Sequence, residues 1–230
     1  MSSLTYDEIW KLVPPEEKLE ILAKAQARGI ISAVIGIILC AALAIGFSLP
    51  MLFWISLIGS PLVFQIAASR MWKMLHPQIV LWYLAARSAA RRYAFILKSE
   101  DLTIKLIFKG ELRNLALEEE SRDPTAQKWL PVWVVLFRDC LVIIREMPGG
   151  AQLEFGGLLG ERLKLEPRDD YEDASGIRYK ELYLVFNGRD APPQKVLLRS
   201  RYQAAMVALE GFIKQAIEAS IKEKEKLEQG

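Results

Sequence analysis

The sequence predicts a membrane α-helical hairpin followed by a soluble α+β domain, on three observations. Residues Gly29 to Ser69 contain no Asp, Glu, Lys, Arg or His. From Leu102 the chain breaks into short runs rich in Val, Ile, Leu and aromatics with alternating polarity, the period of strands. Near the end, Ala205, Leu209, Phe212, Ile213, Ala216 and Ile217 fall at helical spacing and make one apolar stripe.

The first elements lie in residues 1–28. Thr5-Tyr6-Asp7-Glu8 has the form of a capping box, whose hydroxyl and carboxylate satisfy opposite backbone donors at a helix start. Pro14-Pro15 interrupts that helix, and Pro15 opens a second one through Glu16, Glu17, Leu19, Leu22 and Lys24. These residues read as cytoplasmic juxtamembrane helices.

The apolar block 29–69 comes next. A hydrocarbon core about 30 Å thick needs roughly 20 apolar helical residues per crossing, and Pro50 divides the block into two such runs. A connection of only Ser48-Leu49-Pro50 holds no domain, so both chain ends belong on one side. Lys18, Lys24 and Arg28 before the block, with Arg70 and Lys73 after it, place both ends in the cytoplasm by the positive-inside rule. A re-entrant hairpin, broken around Gly59, Ser60 and Pro61, is the alternative. Gly29, Ser32, Ala33 and Gly36 give the first crossing a small face for helix packing.

In residues 70–100, Pro77 is expected to open a helix through Ile79, Trp82, Tyr83, Ala86, Ala90 and Tyr93. Between Arg70 and Lys98 there is no acid. Rings at headgroup level with Arg side chains reaching phosphates describe an interfacial amphipathic helix, and a stalk joining membrane to domain is the equal alternative. Arg70, Lys73, Arg87, Arg91 and Arg92 are the candidate contacts to lipid headgroups.

Residues 101–222 form the soluble domain, with a charged, solvated tail at 223–230. LTIKLIF, GELRNLAL, VWVVLFRD, CLVIIREM, AQLEF, ERLKLEP, ELYLVF and KVLLRS read as strands. Pro148-Gly149-Gly150 and Asn187-Gly188 read as hairpin turns, Gly156 to Gly160 as a bend or bulge, and Ser200 as a helix cap. Lys109 to Arg113, Trp133 to Leu141 and Val196 to Ser200, followed by one amphipathic helix, resemble the strands and closing helix of pleckstrin-homology domains. The resemblance covers roughly Thr103 to Ile217 and implies an antiparallel β-barrel closed by its C-terminal helix. That family's helix buries a Trp, and Leu209 or Phe212 would take its place here. The first loop reads Glu118-Glu119-Glu120 and opposes an inositol polyphosphate, although Lys109, Arg113 and Lys128 are near. The arrangement is similar to that of bacterial membrane proteins that join apolar hairpins to such domains, which implies the bacterial inner (plasma) membrane.

Composition narrows the function. The 230 residues are 52% hydrophobic and 25% charged, with net charge +2, which is no nucleic-acid signature. Cys40 sits in the apolar block and Cys140 in a strand, so no disulfide framework is expected. One histidine, His76, precedes a proline and leaves the soluble domain without a Ser/His/Asp triad. Cys140 has apolar neighbours and reads as a buried small hydrophobe. Gly156 to Gly160 lacks the spacing of a phosphate loop, and EPRDDYED, residues 166–173, lacks the spaced acids of a calcium loop. No catalytic, cofactor or metal residue is nominated. The expectation is a non-enzymatic, membrane-anchored scaffold or accessory subunit that recruits a protein partner. The alternatives are an anionic-lipid-binding or membrane-shape-sensing protein, or a small structural subunit of a transporter or energy-converting complex. Partners are the bilayer, another protein or larger membrane complex, and a second copy of the chain.

Overall fold

The computed structural model describes residues 6–115, 128–160, 163–187 and 193–228. Helix α1 spans Tyr6–Leu12, α2 Pro15–Gly46, α3 Met51–Ile96 and α4 Gln203–Glu228. The strands are β1 Ile104–Asn114, β2 Leu130–Phe137, β3 Cys140–Met147, β4 Gly150–Leu158, β5 Leu163–Pro167, β6 Tyr171–Glu172, β7 Arg178–Phe186 and β8 Gln194–Ser200. Two compact units result: residues 15–82, and residues 1–14 together with 83–230. Thr5 of the capping box, Glu118 to Glu120 and Gly188 of the second turn lie outside the described residues.

In the first unit α2 and the leading part of α3 are long and apolar enough to cross a membrane. The turn between them is a Schellman motif: the amide of Leu49 donates to the Ala44 carbonyl at 2.9 Å and that of Ser48 to Ile45 at 3.4 Å. Ser48 takes the left-handed conformation, φ 53°, which the motif requires and which Gly would adopt without steric cost. Gly29 lets α3 approach α2 closely, because a Cβ there would stand 2.7 Å from the Phe64 ring. Gly36, expected on the same packing face, has open space in front of it.

Helix α3 does not break where its prolines suggest. Pro61 cannot donate to the carbonyl of Leu57, and the Ser60 hydroxyl takes that role at 2.9 Å. Pro77 also lies inside α3, so the chain does not restart there. One helix of 46 residues runs from the second apolar stretch into the second unit.

In the second unit the sheet order is β4-β3-β2-β1-β8-β7-β5, with β6 beside β7, and every pairing is antiparallel. LTIKLIF and GELRN are one strand, not two. Gly110 continues β1 because a Cβ there would press at 3.0 Å on the Arg199 carbonyl of β8. Pro148 and Gly149 form the β3–β4 turn, Gly149 at φ 92°. The inner face of the sheet forms the core: Phe108, Leu112, Val134, Leu136, Leu141, Ile143, Leu182, Leu184 and Leu198 meet Tyr202 and, from α4, Met206, Leu209 and Ile213.

The strand pairs do not close a barrel. Among the described residues β4 and β5 remain unpaired edges. Near the open corner the rings of Phe155 and Phe186 meet edge to face at 6.5 Å. Gly157 lies flat against Phe186, where a Cβ would collide with the ring. The glycine-rich stretch of β4 therefore admits an aromatic side chain. Helix α4 packs against β1, β5, β7 and β8. Ser200 donates to the Lys109 carbonyl at 2.7 Å and accepts the Tyr202 amide at 3.2 Å, just before α4 begins. Two expectations for α4 change. Phe212 is 38% exposed whereas Leu209 and Ile213 are buried, so Leu209 fills the closing position. The helix also continues through the tail to Glu228.

The outer face of β2 and β3 is buried too. Trp133, Val135, Phe137, Cys140, Val142 and Ile144 alternate with the core residues and are nonetheless covered. Their cover is the end of α3, whose buried stripe is Tyr83, Ala86, Ala90 and Ala94. Tyr83 meets the Trp133 ring edge-on at 4.9 Å, and the Tyr93 hydroxyl donates to the Ala151 carbonyl of β4 at 2.5 Å. Helix α1 contacts β1 on the same unit. Residues 83–96 thus pack within the sheet domain, as the last part of the helix that runs on from the second apolar stretch.

Candidate functional site

The predicted headgroup residues divide between the two units. Arg70 and Lys73 are exposed in the first unit. In the second unit Arg92 is exposed, Arg91 is half-buried, and Arg87 is only 7% exposed. Burial lowers the proton affinity of Arg87, the neighbouring Arg91 charge lowers it further, and Glu8 of α1 restores part of it. The Nε atoms of Arg87 and Arg91 are buried without a hydrogen-bond partner. Alternation between ring and charge on α3 arises because the helix packs one face on a sheet.

A different cluster stands on the outer face of β1, β8 and β7, beside the part covered by α3. Strand pairing sets Glu111 opposite Arg199. The Arg199 Nε and Nη2 both lie 2.7 Å from Glu111 Oε2. Aromatic rings enclose the same guanidinium: Trp129 at 4.0 Å, Tyr179 at 4.5 Å and Tyr171 at 5.9 Å from their centroids. Lys109 stands 5.0 Å over Trp133, and Arg201 stands 5.3 Å from the Tyr202 ring. Lys109, Glu111, Pro131, Tyr179, Arg199, Arg201 and Tyr202 line a depression of about 260 Å³. A guanidinium held between a carboxylate and rings is fixed in direction, and such a surface combines the Tyr, Trp and Arg that dominate binding energy at protein interfaces. The sequence marks Lys109 to Arg113 and Val196 to Ser200 as strands and residues 166–173 as an acidic stretch, but does not bring Trp129, Tyr171, Tyr179 and Arg199 together. Only the strand register brings them together.

The other sequence candidates resolve locally. Cys140 is buried, and desolvation pushes its thiol up to about 11. In the acidic stretch Asp173 accepts from the Ser175 hydroxyl at 2.6 Å and from the amides of Ser175 and Ile177 at 2.9 and 3.0 Å. It therefore builds a turn. Among the described residues no cluster of His, Cys, Asp and Glu could hold a metal ion.

No protein-family model and no curated protein matches the chain. Solved structures with likeness include the PDZ-RhoGEF DH/PH domains in complex with GTP-γ-S-activated RhoA, at 18% identity over 68% of this chain, TM-score 0.34. The Slm1 PH domain in complex with inositol-4-phosphate matches at 12% identity over 50% of this chain and 98% of its own, TM-score 0.33. A Vav1 structure containing PH and C1 domains matches at 9% identity over 70% of this chain and 40% of its own, TM-score 0.34. The alignment spans 48% of the PDZ-RhoGEF chain. Superpositions at this level assign no ligand and no partner.

Proposed function

We propose that the protein is a non-enzymatic, membrane-anchored adaptor: the hairpin of α2 and α3 spans the bilayer with both termini cytoplasmic, and the sheet domain recruits a protein through the face around Arg199. The carrying observation is that α3 supplies both the second apolar helix and the cover of the sheet, so anchor and domain share one helix. The strand order, with one C-terminal helix, supports a pleckstrin-homology-like domain, and the cytoplasmic placement and bacterial inner membrane follow from flanking charge and the resemblance. Lipid binding by the same domain is the second reading, favoured by exposed Arg92 at the rim of a cavity of about 420 Å³ between α3 and the β3–β4 hairpin.

The test is affinity capture of the full chain from gently solubilised membranes. A partner should be recovered with the natural chain and lost with Lys109→Glu and Tyr179→Ala at unchanged thermal stability. Recovery of the chain alone in every detergent overturns the adaptor reading.

A further inference from the structure

The hairpin holds a second feature of defined chemistry. A groove of about 530 Å³ lies between α2 and α3, with Arg28 and Arg70 among its lining residues. Val63, Ile66, Ala67, Arg70 and Met71 recur along one face of α3 at helical spacing. Arg70 lies toward the end of that stripe away from the turn at Ser48, followed by Met71 and Met74, so both cations of the groove belong to its end remote from the turn, and an apolar wall leads from them into the apolar helices. The contact of Gly29 with Phe64 sets the spacing of the helix pair next to it.

Charge decides what such a groove accepts. No Asp or Glu occurs between Ile21 and Ser99. Arg28 and Arg70 are exposed and have no hydrogen-bond or ion-pair partner among the described residues. Two guanidinium groups on one cavity repel each other, and an anion between them removes that repulsion while taking up paired donors from each. A water-soluble anion makes no use of the apolar wall, whereas a phospholipid fills both parts. Basic pockets between membrane helices on the cytoplasmic side bind anionic headgroups for this reason.

We infer that this groove binds one anionic phospholipid, its phosphate between Arg28 and Arg70 and an acyl chain along Val63, Ile66 and Met71. The inference rests on the membrane-anchored reading above. The test uses the full chain in mild detergent, offered phosphatidylglycerol or phosphatidylcholine in mixed micelles, with bound lipid read by native mass spectrometry. Phosphatidylglycerol should be retained about tenfold over phosphatidylcholine, the ratio given by one good ionic contact. The Arg28→Gln/Arg70→Gln variant should lose that preference. Met71→Trp, which fills the wall and keeps both cations, should reduce retention as well. Equal retention of the two lipids, unchanged retention in the double variant, or displacement by millimolar inorganic phosphate with Met71→Trp behaving as the natural chain overturns the site. Extraction of the natural chain by alkaline carbonate overturns the anchoring reading beneath it, whereas a carbonate-resistant chain without lipid preference overturns this site alone.

Discussion

Asp139 holds Ser99. The Ser99 hydroxyl donates to Asp139 Oδ1 at 2.5 Å, while Oδ2 receives the amides of Glu100 at 2.7 Å and Asp101 at 3.3 Å. One carboxylate in the β2–β3 turn thereby receives the chain as it leaves α3, where Lys98 ends the helix in the left-handed conformation at φ 60°. Removing it leaves several donors at once without their acceptor. Asp139→Ala is expected to destabilise the sheet domain by about 1–3 kcal/mol. A double-mutant cycle with Ser99→Ala, read by thermal unfolding, should show a coupling above about 0.5 kcal/mol, and strict additivity would contradict the clamp.

The closing helix gives a sharper contrast. Leu209 is completely buried and Phe212 is 38% exposed. Leu209→Ala should cost about 2–5 kcal/mol, and Phe212→Ala less than about 1 kcal/mol despite its larger side chain. Reversal of that order in denaturant titrations would show that the helix sits in another rotation.

Gly157 and Phe186 should behave as a pair. In most strand positions Gly→Ala is mildly stabilising through the unfolded state, but here the new methyl meets the Phe186 ring. Gly157→Ala is expected to cost about 1–3 kcal/mol through overpacking. In a Phe186→Ala background the same change should be close to neutral. An equal penalty in both backgrounds would remove the ring as the cause.

Glu210 carries a pH signature. Its carboxylate accepts from Lys214 at 2.6 Å and pairs with Lys180 at 3.3 Å, and these cations hold its titration below the ordinary glutamate value of 4.5. A carboxylate depressed on folding contributes stability above its unfolded value and loses it as pH falls through the folded one. The natural chain should therefore exceed Glu210→Gln by about 1 kcal/mol at neutral pH, the gap closing below pH 4.5. Melting curves with a constant gap down to the acid limit would refute the pairing.

Local pattern carried much of this fold. The uncharged block located the hairpin helices, and short runs rich in Val, Ile, Leu and aromatics located seven strands, with KGELR correctly placed in β1. Two-sided burial was also written in VWVVLF and CLVII, where apolar residues run without alternation, as in strands covered on both faces. The identity of the cover was not. Periodicity shows that α3 has an apolar face between Tyr83 and Ala94, but an apolar face looks the same whether it meets lipid or a sheet. Phe212 failed for a related reason: it lies at the margin of the stripe centred between Leu209 and Ile213, where spacing alone does not separate buried from exposed. The Arg199 cluster was illegible because Glu111, Trp129, Tyr179 and Arg199 meet only through non-local register, and Ser60 at Pro61 shows how one hydroxyl keeps a helix whole where a break was conceivable.

The cover of the outer sheet face is made before the sheet itself. Chain order delivers Tyr83, Ala86, Ala90 and Ala94 first, and residues 97–103 are the entire tether to β1. A tether that short holds helix and strands at a local concentration in about the millimolar range, so the docking of β2 and β3 on α3 is intramolecular from the moment they emerge. Cutting the chain at Glu100 turns that encounter into a bimolecular one and leaves Trp133, Val135 and Ile144 in search of another surface. The border between anchor and domain is thus a point of dependence, and the sheet is heir to a surface that an earlier part of the chain has already built.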